Sequence, residues 1–176
     1  RAAVEEAGPA TVELAYWEGI LLEDFSRVVQ PDEECDRSDA AVVVCTFEQS
    51  VQAIAMHLGR VTDTSTGTVT THLSESCEGL DGAIGNRMVL QGEGSMQTQL
   101  GDELFFRNRR VSCDGTPVIA GSGYVVIDGG TGRFDGAEGI ISTLNPAVEA
   151  GFISIGVGTL TVRADLWEDL IPPLAS

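Results

Sequence analysis

Few side chains of this sequence have the type and setting to do chemistry. Two are histidines, the residue whose ordinary pKa lies closest to neutrality. His57 comes just before a Leu58-Gly59 turn at the end of an alternating strand, where the mouth of a barrel would present a general acid or base. His72, within Thr70-Thr71-His72, reads as an exposed strand residue. Glu93 stands among the polar residues of the most regular strand and becomes an acid–base candidate if that face lines an interior. His57 and Glu93 are therefore the catalytic candidates, set against a hydrogen-bonded structural histidine and a solvated carboxylate. Serine chemistry has no support: there is no G-x-S-x-G elbow, and Gly121-Ser122-Gly123 falls inside a strand. With 27 Asp and Glu residues, no carboxylate pair stands out from the surface charge.

The four cysteines, Cys35, Cys45, Cys77 and Cys113, form no C-x-x-C pair, and neither histidine completes a zinc spacing with them. No metal site and no cofactor is expected. An even count fits two disulfides with three possible pairings. Cys35 and Cys45 flank a short acidic turn, so joining them is favoured, leaving Cys77 and Cys113 to staple two more distant strands. The alternative is four buried free thiols in a cytosolic protein. A chain opening at Arg1 implies either removal of a leader or trimming of the chain, and removal of a leader would agree with disulfides and a secreted or extracytoplasmic life. The rival setting is the cytoplasm of a salt-adapted or GC-rich organism.

Composition narrows the partners. The 176 residues carry a formal charge of −17, and all ten cations are arginine. Such a surface repels phosphate, which argues against nucleic acid and anionic membranes. No apolar run approaches the ~20 residues of a membrane span. A hydrophobic content of 43% with 21% charged residues supports a packed core.

The elements that must hold these residues are almost all strands. Residues 11–17 alternate, and residues 21–28 carry apolar spacing that predicts a short helical stretch. Residues 30–39, with Pro31 and five acids, read as an exposed loop. From Ala40 onward the pattern is β throughout, strongest over residues 87–100, where Met88, Leu90, Gly92, Gly94, Met96 and Leu100 share a face. Gly101-Asp102 then turns the chain into a hairpin. Eight or nine strands joined by Gly and Asp turns imply an antiparallel sandwich or closed barrel. Glycines paired at i, i+2 (Gly92 and Gly94, Gly121 and Gly123, Gly156 and Gly158) allow sharp coiling and favour the barrel. The expected organisation is all-β: an N-terminal extension and acidic loop over residues 1–40, partly helical or irregular, a single eight-stranded antiparallel closed barrel over 41–165, and a tail over 166–176.

Three segments together carry a resemblance: His57-Leu58-Gly59-Arg60, the hairpin from Leu100 to Phe105, and Gly129-Gly130-Thr131-Gly132-Arg133-Phe134-Asp135-Gly136-Ala137-Glu138-Gly139 after a Val-rich strand. Their order and spacing resemble bacterial members of the allene oxide cyclase barrel superfamily, close to dirigent proteins and similar in shape to lipocalins. The resemblance covers residues 42–162. It implies an eight-stranded barrel with an apolar lumen, no cofactor, and cyclase or isomerase activity on hydrophobic polyenes in some members; none of their catalytic residues matches a position here. Gly129, Gly130, Gly132, Arg133 and Phe134 read as a structural turn, with Arg133 bonding a carbonyl or carboxylate and Phe134 tucked into the barrel end. A phosphate cradle is excluded by the absence of Lys and of a following helix.

The resulting expectation is a barrel that binds a hydrophobic, polyketide- or lipid-like small molecule and in the enzymatic case shapes it for cyclisation or isomerisation. Trp17, Tyr124 and Phe106 are the expected lining, with Phe105 pointing the other way from Phe106. Arg107, Arg109 and Arg110 form the basic cluster, expected to pair with neighbouring acids or a second subunit of a homo-oligomer. The rival is a secreted, non-enzymatic structural or interaction module with a filled barrel, docking through residues 1–40 and an apolar tail containing Trp167, Leu170 and Ile171.

Overall fold

The computed structural model describes residues 10–55, 58–79, 82, 84–114, 121–145, 147–148 and 151–167. They form one antiparallel sheet. In chain order its strands are β1 (Thr11–Val29), β2 (Val42–Ala55), β3 (Gly59–Glu78), β4 (Ile84–Thr98), β5 (Glu103–Cys113), β6 (Gly121–Gly130), β7 (Glu138–Asn145), the short β8 (Ala147–Val148) and β9 (Gly151–Arg163). Two 3-10 turns, Asp32–Glu34 and Gly132–Phe134, and a four-residue helix, α1 (Ala164–Trp167), complete it. Neighbours in sequence are neighbours in the sheet from β1 to β7, after which β7 pairs with β9. No helix among the described residues is long and apolar enough to cross a membrane.

The N-terminal segment departs from expectation. Residues 11–29 are one strand, with no helical stretch at 21–28, and they belong to the sheet. The first half of β1 pairs with β9, from Thr11 opposite Arg163 to Leu21 opposite Ile153. Its second half pairs with β2, from Ile20 opposite Ala55 to Val29 opposite Phe47. A bulge between Leu22 and Asp24 explains the misleading pattern. One extra residue reverses the phase of alternation, so Leu22 stands opposite buried Ala53 while Phe25 stands opposite buried Val51. Across that break a period-2 pattern imitates helical spacing. The boundary at residue 40 is therefore not a domain boundary, because the sheet starts at Thr11.

Along the other strands the period of two sorts side chains cleanly. On β2, Phe47, Val51, Ala53 and Ala55 are buried while Thr46, Glu48, Ser50, Gln52 and Ile54 are exposed. Among the described residues, most of the buried hydrophobic set gathers into three groups. Leu104, Phe106, Ile127, Phe134, Ala137, Ile141, Leu160 and Val162 make the largest. Val51, Ala53, Ala55 and Val61 make a second, bridged to the first by Leu58 and Met96. Phe47, Val69, Met88 and Leu90 make a third. Leu100, grouped with Met88 and Leu90 from the pattern alone, is instead an exposed turn residue.

Several glycines inside strands mark where neighbouring backbone comes closest. A Cβ on Gly94 would lie 2.1 Å from the Thr64 carbonyl oxygen, and one on Gly158 would lie 2.0 Å from that of Ile140. The neighbouring backbone occupies the space of a side chain, so only glycine permits the approach. Two disulfides complete the frame. Cys35–Cys45 ties the β1–β2 connection to β2, and Cys77–Cys113 joins the ends of β3 and β5 across β4, the pairing favoured from the sequence.

Candidate functional site

Alternation carries three charged side chains to the inner face. On β3, Val61, Ser65 and Val69 are buried, Thr62, Thr64 and Thr66 are exposed, and Asp63 has the phase of the buried set. On β5, Leu104, Phe106 and Ser112 are buried, and Arg110 shares their phase. On β1, Arg27 stands opposite Gln49, which is in phase with buried Phe47 and Val51. Arg27 donates from Nε to the Gln49 Oε1 atom at 3.1 Å, and from Nη2 to the same oxygen. Its guanidinium also lies over the Phe47 ring, 5.3 Å from the centroid.

The electrostatics follow from burial. Loss of water pushes the Asp63 carboxyl up to about 6 from 3.8, opposed first by Arg110 and then by Arg27. Desolvation likewise lowers Arg27 to about 10, with Arg110 pushing the same way and Asp63 opposing. Burial lowers Arg110 too, against the pull of Asp63. The three groups thus sense one another, yet no ion pair within 4.0 Å joins Asp63 to Arg110. Asp63 Oδ1 and Arg110 Nε are buried without a hydrogen-bond partner, as are the hydroxyls of Ser65, Thr98 and Ser112. Buried polar atoms in folded proteins nearly always have partners, and exceptions point to a water, ion or ligand. Asp63, Arg27 and Arg110 are nonetheless only half-buried as whole residues.

Chemically, this arrangement can do two things. The buried, unpartnered Nε of Arg110 can donate a hydrogen bond to an acceptor. A carboxyl titrating near 6 can also accept and return a proton near neutrality. Among the described residues, no three His, Cys, Asp or Glu side chains converge as metal ligands.

Of the residues nominated from the sequence, Glu93 and Tyr124 lie on the other face. Glu93 is exposed on the outer face, opposite Arg107 in the β4–β5 ladder. It borders an open groove of about 710 Å³ on that face, with Phe105, Arg107 and Asp128 on its rim. Arg107 Nε meets Asp128 Oδ2 at 2.7 Å there. Tyr124 is 43% exposed and borders a second outer groove of about 540 Å³, so it does not line the interior. The reason is phase: on β6 it is Gly123, Val125 and Ile127 that alternate inward. Phe106 does point inward, but into the packed core beside Leu104, Ile127 and Phe134. Trp17 stands opposite Val157 in the β1–β9 ladder, while its side chain falls outside the described residues, as do His57, Leu170 and Ile171. His72 Nδ1 sits 3.4 Å from Glu75 Oε1, and Glu75 also pairs with Arg87.

The glycine-rich segment forms a tight turn. Gly132 has φ +59°, and a Cβ on it would lie 2.0 Å from Asp102 Oδ1. Arg133 donates from Nε to Asp102 Oδ2 at 2.5 Å and from its backbone nitrogen to Oδ1 at 3.3 Å, locking the turn to the β4–β5 hairpin. Phe134, only 1% exposed, fills the core end above it.

Asp63, Arg27 and Arg110 were not nominated from the sequence. Their signal was present as charged residues in the buried phase of alternating strands: Asp63 between Val61 and Val69, Arg110 four residues beyond Phe106. Grouping Arg110 with Arg107 and Arg109 as one basic patch hid the fact that it projects through the other face. The chain matches no protein-family model, no curated protein and no solved structure.

Proposed function

We propose that this protein is a secreted, disulfide-stapled β-barrel that binds a small, largely apolar molecule inside. The observation that carries the reading is the set of inward-facing polar atoms without partners around Asp63 and Arg110, bordered by apolar groups on either side. Closure of the barrel is part of the proposal, supported by a circuit of ladders that runs from β1 through β7 to β9 and back to β1. Kinship with the allene oxide cyclase barrel superfamily belongs to it as well, supported by the tight Gly132–Phe134 turn packed on the barrel end. Asp63 gives the interior an acid–base group of the kind a cofactor-free isomerisation needs, so catalysis on the bound molecule is compatible with the site. Secretion is supported by the two disulfides.

One observation favours the filled interaction module instead: Phe106 is spent on the core with Phe134, Leu160 and Val162, which plugs that end. Native mass spectrometry of the unreduced protein from its own host separates the two. A ligand-binding barrel should retain one small molecule per chain. A bare chain mass, with no thermal stabilisation by a lipid extract of the host, would leave the filled module standing.

A further inference from the structure

The grooves of about 710 and about 540 Å³ on the outer face share Thr66, Glu93 and Arg107, so they form one continuous cleft. Ladder register gives its direction: Val28, Glu48, Thr66, Glu93, Arg107 and Val126 stand opposite one another in turn from β1 to β6. The cleft therefore crosses six strands, a path of roughly 24 Å at the usual strand spacing. We propose that it holds a neutral polysaccharide chain. Phe105, 37% exposed, and Tyr124, 43% exposed, are rings open to solvent in a cleft whose other side chains are mostly polar. Each offers a flat apolar surface against which the C–H face of a sugar ring can lie. Phe105 leans toward β6, since a Cβ on Gly129 opposite it would lie 3.5 Å from its Cδ2. Tyr124 stands opposite Arg109, four residues along β5 from Phe105, which puts the two rings roughly 14 Å apart, further than one sugar unit reaches. Between them, Thr66, Glu93 and Arg107 supply a hydroxyl, a carboxylate and a guanidinium, and either planar ion can bond two neighbouring sugar hydroxyls at once. Other polymers fit less well. Glu48, Glu93 and Asp128 against Arg107 and Arg109 give no positive excess on a chain of −17, so an acidic polymer is repelled. A peptide that adds a strand needs a sheet edge, and β2 to β5 already have a neighbour on each side.

Affinity electrophoresis tests this, with the unreduced protein run through native gels that contain hydroxyethylcellulose, mixed-linkage glucan, galactomannan or soluble starch. At least one of these should retard the protein, and short oligosaccharides cut from the same polymer should reverse the retardation. Phe105→Ala and Tyr124→Ala should each weaken binding roughly tenfold, read from mobility against polymer concentration. Glu93→Gln, which keeps the shape and removes the charge, should weaken it severalfold. Ile84→Ser, an exposed apolar change outside the cleft, should leave it unaltered. Both rings are exposed, so circular dichroism melts of their variants should match wild type, and Glu93→Gln carries the test if either fails to fold. Free passage through all four gels, retardation only by polygalacturonate or gelatin, or neutral-polymer binding that survives both ring substitutions would overturn the proposal. None of these results bears on a ligand in the interior, because the cleft lies on the opposite face.

Discussion

Replacing Asp63 with asparagine should change how stability depends on pH more than it changes stability at any one pH. The buried carboxyl titrates near 6 in the folded protein and near its ordinary 3.8 when the chain unfolds. Between those values the native state holds the proton more tightly than the unfolded state does. Stability contributed by the neutral carboxyl is therefore present below about pH 4 and is lost as pH rises through 6. Two pKa units correspond to roughly 3 kcal/mol, and a group with this pair of values loses about 2.5 kcal/mol between pH 4 and pH 7.5. The uncharged amide that Asp63→Asn introduces cannot contribute this slope. The other carboxylates give both proteins a common background that cancels in the difference. Urea unfolding followed by circular dichroism from pH 4 to pH 8, at constant ionic strength, measures the difference directly. Wild type minus variant should fall by about 2.5 kcal/mol across that range and level off above pH 7. A flat difference would refute the claim that desolvation dominates at Asp63, and a rising one would mean that Arg110 and Arg27 outweigh it.

Other expectations follow from the same geometry. Removing Cys77–Cys113, which closes a separation of 36 residues, should cost about 4 kcal/mol, against about 3 for Cys35–Cys45 with its separation of 10, read as urea stabilities of the paired serine variants. Gly94→Ala should cost about 3 kcal/mol or more, because the Thr64 carbonyl must move. Gly59→Ala, in open space but at φ +73°, should cost only about 1, so near-equal losses in thermal melts would contradict the close-approach argument. Phe134→Ala should lose about 3–5 kcal/mol from the core end, and a loss below about 1 would mean the turn is not anchored there.

The amino-acid sequence by itself determined the strands and their staples. Alternation is a local property, so β2 to β7 could be found from residues a few positions apart, and the favoured cysteine pairing needed only that Cys35 and Cys45 flank one short acidic turn, which leaves Cys77 for Cys113. The sharp turn at Gly132 was likewise legible, since it rests on glycine's access to positive φ. What only the tertiary structure decided was which partner each strand meets and what lies behind its inner face. The pairing of Thr11 with Arg163 joins residues at opposite ends of the chain, and no local pattern encodes it. A single bulge at Leu22–Asp24 disguised β1, because one inserted residue inverts the phase that pattern reading depends on. Asp63 and Arg110 looked like surface charges for a related reason. Period 2 says that two residues share a face, but the side toward which the sheet coils decides whether that face is water or interior.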